Sequence, residues 1–592
     1  MPFGFTHKPL VKLANSAICA FFSQIEVYGA ENVPEKGPII FACTHVNMAV
    51  DPALLSNTLP HGHMVHYWVK DSLFKNPIAG AILYNAGNIA VDRKNKNNQK
   101  LFRGTFEALA LGESIGVFPE GTSHTEPHII ALKDGTSWAA LEYLRYLQGT
   151  EENGGPKDGR PAVVIPMGIA YVDKAKYRSR VAVYYGRPIT MDEYAKDFVD
   201  GDDATRRVTV KRLTRRISTD LRQMTVNAED WDTFYAAKMA RELLWEREQD
   251  LKLSDYLDIA QTLIDLFETN NPRVSELKSK LVAYHRLLIS SRLTNAALVD
   301  LPLPQDLDPT RKVKLPNRFL PLWILIKDSI SCLVRLPFFL IPMLFYTPIY
   351  IAGFLGSRLV EDELETQAQM KIALSVVFSF LMYPILFFSF YAMFRQVPLG
   401  AAIALGLIWL IKRTHSSFID ENYDAAKRLV AAWRVLIGVW WPREMPLPSF
   451  LASSTVFAPD PPKIAGLPKD AQPEKYKKPK RLPSRVLVRH VLRMRLEAAR
   501  DLAGTLFELE EKDVQVNASF WLAERYGGEV LKVSKEHEEM SEWERPLPSG
   551  RRSGREVVEF FRSKGARLGT GWYEGHWAVS SGDEGSKTED EK

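Results

Sequence analysis

The stretch Ile39-Ile40-Phe41-Ala42-Cys43-Thr44-His45-Val46-Asn47-Met48-Ala49-Val50-Asp51-Pro52 decides how the chain is read. Its first five residues are an uninterrupted apolar run, the pattern of a buried strand. The run ends at a histidine, and a carboxylate follows after a short turn. An imidazole can take a proton from an attacking hydroxyl while a carboxylate fixes its tautomer and orientation, so the pair has the parts of a general base. A plainer reading fits the same residues: Asp51 before Pro52 is a good helix start, with aspartate as N-cap and proline as first helical residue. The company the pair keeps decides between the two.

On the N-terminal side, Gly29, Pro34, Gly37 and Pro38 mark a turn. Residues 1–28 carry Lys8 and Lys12 and an apolar run, Leu10 to Ile25, interrupted by Asn15, Ser16, Ser23 and Gln24. They read as a helix lying in a membrane interface, basic on one face with Phe21 and Phe22 on the other; a core helix would show the same pattern. On the C-terminal side a helix over Ala53 to Leu59 stops at Pro60. His61, His63 and His66 follow. Three close histidines suggest a metal site, but no nearby cysteine or acidic residue completes a tetrahedral set, so a strand with exposed or partly packed histidines is expected and no metal.

Further along, Asn88-Ile89-Ala90-Val91 is a short strand after Gly87, and Arg93 stands just past its end. An arginine there can fork onto a phosphate through two parallel hydrogen bonds, which lysine cannot imitate. A solvated basic loop, with Lys94, Lys96 and Lys100, is the alternative. Leu101 to Leu111 has helical periodicity, broken by Gly112. Ser114 to Phe118 is a buried strand that opens into Pro119-Glu120-Gly121-Thr122-Ser123-His124. Pro-Glu-Gly alone is a β-turn signature. A glutamate, two hydroxyls and a histidine crowded behind a buried strand are unusual, and Gly121 lets backbone N–H groups come close to an anion. Lys133 and Gly135 precede a helix that runs to Leu147. Ala162 to Ala170 is a strand whose Pro166 implies an edge, a bulge or an end. Val181 to Tyr185 is another, closing with Gly186-Arg187-Pro188-Ile189. Strands alternating with helices predict an α/β domain over residues 29–230.

Taken in order, His45…Asp51, Gly87-Asn88-Ile89-Ala90-Val91-Asp92-Arg93, Phe118-Pro119-Glu120-Gly121-Thr122-Ser123 and Val164-Ile165-Pro166 resemble the four blocks of the phospholipid/glycerol acyltransferase superfamily. Tyr185-Gly186-Arg187-Pro188-Ile189 is similar to that family's closing strand. Most of the superfamily places four residues between histidine and aspartate, and this chain has Val46 to Val50 there, one more. That spacing, His124 after the serine, and Leu132-Lys133-x-Gly135 resemble the fungal-type glycerol-3-phosphate/dihydroxyacetone-phosphate acyltransferases. The resemblance implies a mixed sheet flanked by helices and transfer of an acyl chain from acyl-CoA, a co-substrate, with no cofactor. It makes His45 the general base and Asp51 its orienting partner. Arg93, with Lys133 or His124 helping, would hold the acceptor's phosphate. Glu120, Gly121, Thr122 and Ser123, with Pro166, would complete the acceptor site. The acceptor would be the sn-1 hydroxyl of glycerol 3-phosphate or dihydroxyacetone phosphate. A lysophosphatidic acid or other lysophospholipid is the alternative, and a non-catalytic lipid-binding scaffold a third reading. An extra residue that swung Asp51 out of reach of His45 would defeat the catalytic one.

The second half is different in kind. Residues 231–300 interleave charges with leucines and predict a helical extension, as in the fungal-type enzymes. A transmembrane region is expected over 319–412, with uncharged spans at 336–357 and 372–394, each longer than the roughly 20 apolar residues a bilayer requires. The stretch 396–411 is shorter and offers a third span or a re-entrant piece. The connection Arg358 to Lys371 is acidic, whereas Arg311, Lys312, Lys314 and Arg318 precede the spans and Lys412, Arg413, Lys427 and Arg428 follow them. The positive-inside rule then puts both ends in the cytosol and the acidic connection on the far side. With the resemblance, this predicts a multi-pass endoplasmic reticulum protein whose catalytic domain faces the cytosol. Residues 442–484 read as a proline-rich linker, 485–579 as a basic, partly helical region and 580–592 as a disordered tail. The basic block Lys475 to Arg500 suits an anionic lipid surface better than nucleic acid, and its helical continuation is read as lying on the membrane.

Whole-chain properties agree. With 592 residues the chain has room for two to four domains, or one domain plus membrane segments. Lys+Arg number 76 against 71 Asp+Glu, so the net charge of +5 does not demand nucleic acid. Cys19, Cys43 and Cys332 lie far apart, which excludes a disulfide scaffold or a cysteine-rich metal site and fits a reducing compartment.

Overall fold

The computed structural model describes residues 3–91, 102–148, 159–298, 313–314, 319–360, 363–394, 398–440, 484–531, 545–568 and 579–580. It divides into two compact units: residues 1–227 with 351–377 and 533–547, and residues 228–350 with 378–532 and 548–592.

The first unit is built on a seven-stranded mixed sheet. Its strands are β1 (Gln24–Tyr28), β2 (Ile39–Cys43), β3 (Val65–Lys70), β4 (Ile89–Val91), β5 (Ser114–Val117), β6 (Val163–Tyr171) and β7 (Arg180–Tyr185), in the order β1-β7-β6-β2-β5-β3-β4. All neighbours are parallel except β6 and β7. β2 is central and buried throughout, as its apolar run predicts. Successive side chains point to opposite faces of a strand. Ile40 and Ala42 accordingly join a core with Phe106, Tyr143 and Leu213, whereas Ile39, Phe41 and Cys43 join one with Leu54, Met167 and Val183. The helices supplying these layers are α1 (His7–Phe21), α2 (Val50–Thr58), α3 (Pro77–Asn85), α4 (Arg103–Ala110), α5 (Gly135–Leu147), α6 (Asp192–Val199) and α7 (Asp203–Arg222).

Three expectations change here. The domain begins before residue 29, since β1 is a strand of its sheet. Phe21 and Phe22 are 4% and 2% exposed and pack in the core with Ile18, so the face of α1 expected to meet lipid meets the sheet instead. Pro166 lies in neither an edge strand nor a strand end. It falls where the β6–β7 ladder is interrupted, between the Val164–Ile189 bridge and the pairing that starts at Met167–Tyr185. Its carbonyl accepts from Gly186 N at 2.8 Å, and the missing N–H faces the interruption, where none is needed.

In the second unit, α8 (Trp231–Leu244), α9 (Leu253–Phe267) and α10 (Pro272–Ser291) form the expected helical extension, and α14 (Ser484–Glu511) packs along α10. A three-stranded antiparallel sheet, β8 (Gln515–Ser519), β9 (Glu529–Leu531) and β10 (Ser549–Ser553), completes this part with α15 (Phe520–Tyr526) and α16 (Gly554–Ser563). The basic region is therefore not a helix laid on a membrane. Leu487, Val491, Leu502 and Leu506 are buried in the protein, and Arg495, 1% exposed, donates to the Leu298 carbonyl and pairs with Glu246 at 3.3 Å. The linker 442–483, the tail 581–592 and Lys475 to Arg481 lie outside the described residues.

Long helices α11 (Phe319–Leu359), α12 (Leu364–Phe394) and α13 (Leu399–Trp440) cover the region of the expected spans. Leu340–Leu359 and Leu364–Phe394 are long and apolar enough to cross a membrane. The stretch 396–411 is no separate piece: from Leu399 it is the start of α13, which continues into charged turns from Lys412 onward. The acidic connection also departs from expectation. Ala368 is fully buried in the core of the first unit that contains Phe41, Cys43 and Leu54, and Ile372 packs beside it. The beginning of α12 thus belongs to the same compact unit as the sheet, not to the opposite side of a bilayer from it.

Gly168 in β6 sits against Met224, and a Cβ there would lie 2.4 Å from Met224 Cβ and 2.6 Å from its carbonyl oxygen. Gly168→Ala should destabilise the protein by roughly 1–3 kcal/mol, the usual cost of overpacking. Gly406→Ala, with open space around the new methyl, should leave stability unchanged or raise it. Melting temperatures of the two full-length variants check the pair.

Candidate active site

β2 delivers His45 to the end of the central strand, where the chain turns through residues 46–49 and enters α2. Here the five intervening residues matter. They are absorbed in the turn, in which Met48 takes a left-handed backbone conformation with φ 42°. Asp51 stays in reach: its Oδ2 lies 3.0 Å from His45 Nδ1. Asp51 does not cap its helix, because α2 starts at Val50 with Ala49 as the residue before it and no side-chain cap. The carboxylate instead faces inward. It is fully buried, and besides His45 it accepts from Asn47 N at 2.8 Å and from the Tyr171 hydroxyl at 2.6 Å.

This geometry assigns the tautomer. A carboxylate accepts hydrogen bonds, so Nδ1 of His45 carries the proton and Nε2 keeps its lone pair. The His45 side chain is 18% exposed, and its ring stacks on Phe118 with centroids 4.2 Å apart. Burial and the adjacent Asp51 charge push the Tyr171 phenol well above its ordinary range, so it remains a donor. Burial likewise pushes the Cys43 thiol up, which leaves it a packing residue beside the pair.

The Pro119–His124 segment reaches the same place from β5. Glu120 is fully buried; Oε1 accepts from His45 N at 2.6 Å, and Oε2 bonds His124 Nε2. Both carboxylate oxygens are thus engaged inside the protein, and His124 is buried with them. Gly121 has φ 74°, a left-handed conformation that favours glycine, and the Lys133 ammonium packs 2.5 Å from where a Cβ would be. Lys133 and Thr122 are exposed, while the Ser123 hydroxyl points to the Met48 sulfur. Pro166 is buried in β6 opposite Ala42 and sets the strand beside β2. Arg93 lies outside the described residues.

Of the three histidines, His66 is fully buried between the Gly87 carbonyl and Glu113, at 2.8 Å from the latter, and His63 Nε2 bonds the Pro34 carbonyl at 2.8 Å. They take separate partners.

Two polar residues escaped the sequence. Tyr171 continues the strand one residue past the expected end, and the two-residue period from Met167 and Ile169 places it on the face of His45. Lys174 donates to the Val46 carbonyl at 3.2 Å, and its own carbonyl accepts from Asn47 Nδ2 at 3.1 Å. Burial lowers its pKa, opposed by the negative charges of Glu365, Asp51, Asp173 and Glu120.

Residues 24–170 match the family model described as Acyltransferase. Over this stretch the chain resembles the phospholipid/glycerol acyltransferase superfamily. The chain is 28% identical to glycerol-3-phosphate O-acyltransferase 2 of Saccharomyces cerevisiae over 46% of its own length and 33% of the yeast protein. It is 27% identical to glycerol-3-phosphate O-acyltransferase 1 of the same yeast, over 45% and 32%. It therefore resembles the fungal enzymes while spanning about a third of the length of these two relatives. A shorter match, 32% identical over 19% of this chain and 53% of the relative, is to the 1-acyl-sn-glycerol-3-phosphate acyltransferase of Bacillus subtilis.

Tyr171→Phe tests the buried carboxylate. The variant keeps the ring and removes one of three donors to Asp51, which should lower turnover about tenfold, equivalent to roughly 1.4 kcal/mol of barrier. Substrate KM should change little, and steady-state kinetics read the split.

Proposed function

We propose that this acyltransferase domain moves an acyl chain from acyl-CoA to the sn-1 hydroxyl of glycerol 3-phosphate or dihydroxyacetone phosphate. The observation that carries the reading is the buried Asp51 holding His45 by Nδ1, which leaves Nε2 as a base at the surface of the domain. In the reaction His45 Nε2 takes the acceptor's hydroxyl proton as its oxygen attacks the thioester carbonyl. The new C–O bond forms, the C–S bond breaks, and the departing thiolate takes the proton from the imidazolium. Asp51 stabilises that imidazolium as it forms. Neither a metal nor a covalent enzyme intermediate is needed.

Glu120 and His124 act as positioning residues in this scheme, because Glu120 spends one oxygen on the His45 backbone and the other on His124. The acceptor's phosphate falls to Lys133, which stands exposed beside Gly121, and to Arg93. Thr122 and Ser123 border that position. The similarity to the yeast proteins favours a small glycerol phosphate as acceptor. The Bacillus match favours the second reading, a lysophosphatidic acid acceptor. A non-catalytic scaffold is disfavoured by the intact base pair.

The two apolar helices fit a protein of the endoplasmic reticulum membrane. Placement of the domain in the cytosol rests on its donor, since the charge pattern around the helices no longer bears on the domain's side. An anionic lipid surface remains the partner proposed for the basic block around Lys475, apart from Arg495, which is committed to the interior.

Loss of a positioned base costs about 10²–10⁴-fold in rate. His45→Ala should therefore reduce transfer from labelled acyl-CoA by that factor in membranes containing the full chain. Near-normal turnover would rule out the mechanism. With the unmodified protein, glycerol 3-phosphate, dihydroxyacetone phosphate and lysophosphatidic acid offered in parallel should rank in that order or with the first two exchanged. A clear preference for lysophosphatidic acid would select the second reading.

A further inference from the structure

The turn between His45 and Asp51 is held at every residue. Val46 receives Lys174 Nζ on its carbonyl; Asn47 gives its N–H to Asp51 and its side-chain amide to the Lys174 carbonyl. Met48 meets the Ser123 hydroxyl. The fourth tie comes from more than three hundred residues away in sequence: Ala49 N–H donates to Gln369 Oε1 at 3.0 Å. Gln369 stands in the first turns of α12, the second apolar helix, and belongs to the same compact unit as the sheet.

That tie is supported on both sides. One residue before Gln369, Ala368 is fully buried in the core that contains Phe41, Cys43 and Leu54. Two residues after it, Lys371 Nζ donates to the Ala175 carbonyl at 2.5 Å, next to Lys174. The end of α11 and the start of α12 pack closely. A Cβ on Gly353 would lie 2.8 Å from the Ser375 hydroxyl, and one on Gly356 2.8 Å from the Met370 carbonyl. The segment presenting Gln369 is consequently fixed by its own packing, and its amide meets a turn that contains a left-handed methionine. Such a residue is held in a conformation its side chain disfavours, so the turn needs restraint from outside.

We propose that Gln369 is a positioning residue of the acyltransferase site, the contact through which the second apolar helix fixes the turn that sets Asp51 against His45. The inference rests on the reading of His45 as the base. It makes the site a joint product of the N-terminal domain and the helix that begins at Leu364. The catalytic turn is set by a helix that continues, beyond Lys371, into an uncharged apolar stretch. Substrate binding does not involve Gln369, so its loss should act on the chemical step and not on affinity.

Gln369→Leu keeps the bulk and removes the acceptor, leaving Ala49 N–H to solvent and the turn without this tie. Gln369→Glu keeps an acceptor oxygen at the same reach. Both are made in the full chain and assayed in membranes with labelled acyl-CoA and glycerol 3-phosphate. The leucine variant should lose about tenfold in kcat, the equivalent of one hydrogen bond lost in the transition state, with KM for both substrates within twofold. Its solvent deuterium isotope effect on kcat should rise, because a poorly held base slows proton transfer relative to product release. The glutamate variant should recover most of kcat. A smaller folded fraction would lower the rate without changing the isotope effect, so that result, or unchanged kcat in the leucine variant, would overturn the proposal. Failure of the underlying reading is separately visible, since the unmodified protein would then transfer no acyl chain to any glycerol phosphate acceptor.

Discussion

A single fully buried carboxylate, Asp51, organises the site. An ionised carboxylate loses most of its hydration when it is buried, and the loss is tolerable only when hydrogen-bond donors replace the water. Three do so: the His45 imidazole and the Asn47 backbone from the segment just before it, and the Tyr171 hydroxyl from the end of β6. The requirement runs in both directions. The donors make the charge bearable, and the charge fixes the turn, the end of β6 and the tautomer of the histidine. In a low-dielectric interior each of these bonds strengthens its neighbours, so the arrangement behaves as a unit. Glu120 repeats the device one shell away, tying the end of β5 to the backbone of His45.

Much of this was legible in the sequence, and the unread remainder has physical causes. The run Ile39 to Cys43 became β2 with the predicted bounds because five apolar residues between turn signals have few other uses. The alternation of strands and helices gave the domain class. Asp51 was readable either as a cap or as a partner for His45, since local pattern is blind to the tertiary donors that settle it. Tyr171 and Asn47 outcompete the helix's own N–H groups for the carboxylate, and the helix starts two residues earlier than the Asp-Pro signature suggests. Phe21 and Phe22 failed differently. An amphipathic helix shows which face is apolar but not whether lipid or protein will cover it, and here the sheet does. Glu120 was visible as an unusual residue behind a strand; that its two oxygens turn inward is a fact of three dimensions.

The same limit explains the basic helix α14. Leucine and valine spacing marked its apolar face, and the arginines on it pointed to an anionic surface. In the fold that face lies on α10, and one of the arginines goes inside with it. Arg495 is acceptable there because a backbone carbonyl and Glu246 receive its guanidinium. A charge run in sequence is usually a solvated face, and its members still have to be assigned one at a time.

The helices after residue 319 show why a charge count can mislead about sides. The positive-inside rule weighs lysines and arginines near the ends of spans and assumes that the connecting loop is free. The first turns of α12 are not free: Ala368 is buried in the core of the first unit with Ile372 packed against it, and Lys371 delivers its ammonium to a backbone carbonyl on the loop after β6. The charged residues of α12, Glu365 and Lys371, precede Ile372, and no charged residue occurs from there to Phe394. One continuous helix therefore has two jobs laid end to end. Its first turns supply hydrogen bonds to a protein surface, and its remaining length still meets the roughly 20 apolar residues that a bilayer crossing requires. Gln369 and Lys371 stand on the same helix as that apolar stretch, so one element supplies both the ties to the first unit and the length a bilayer requires.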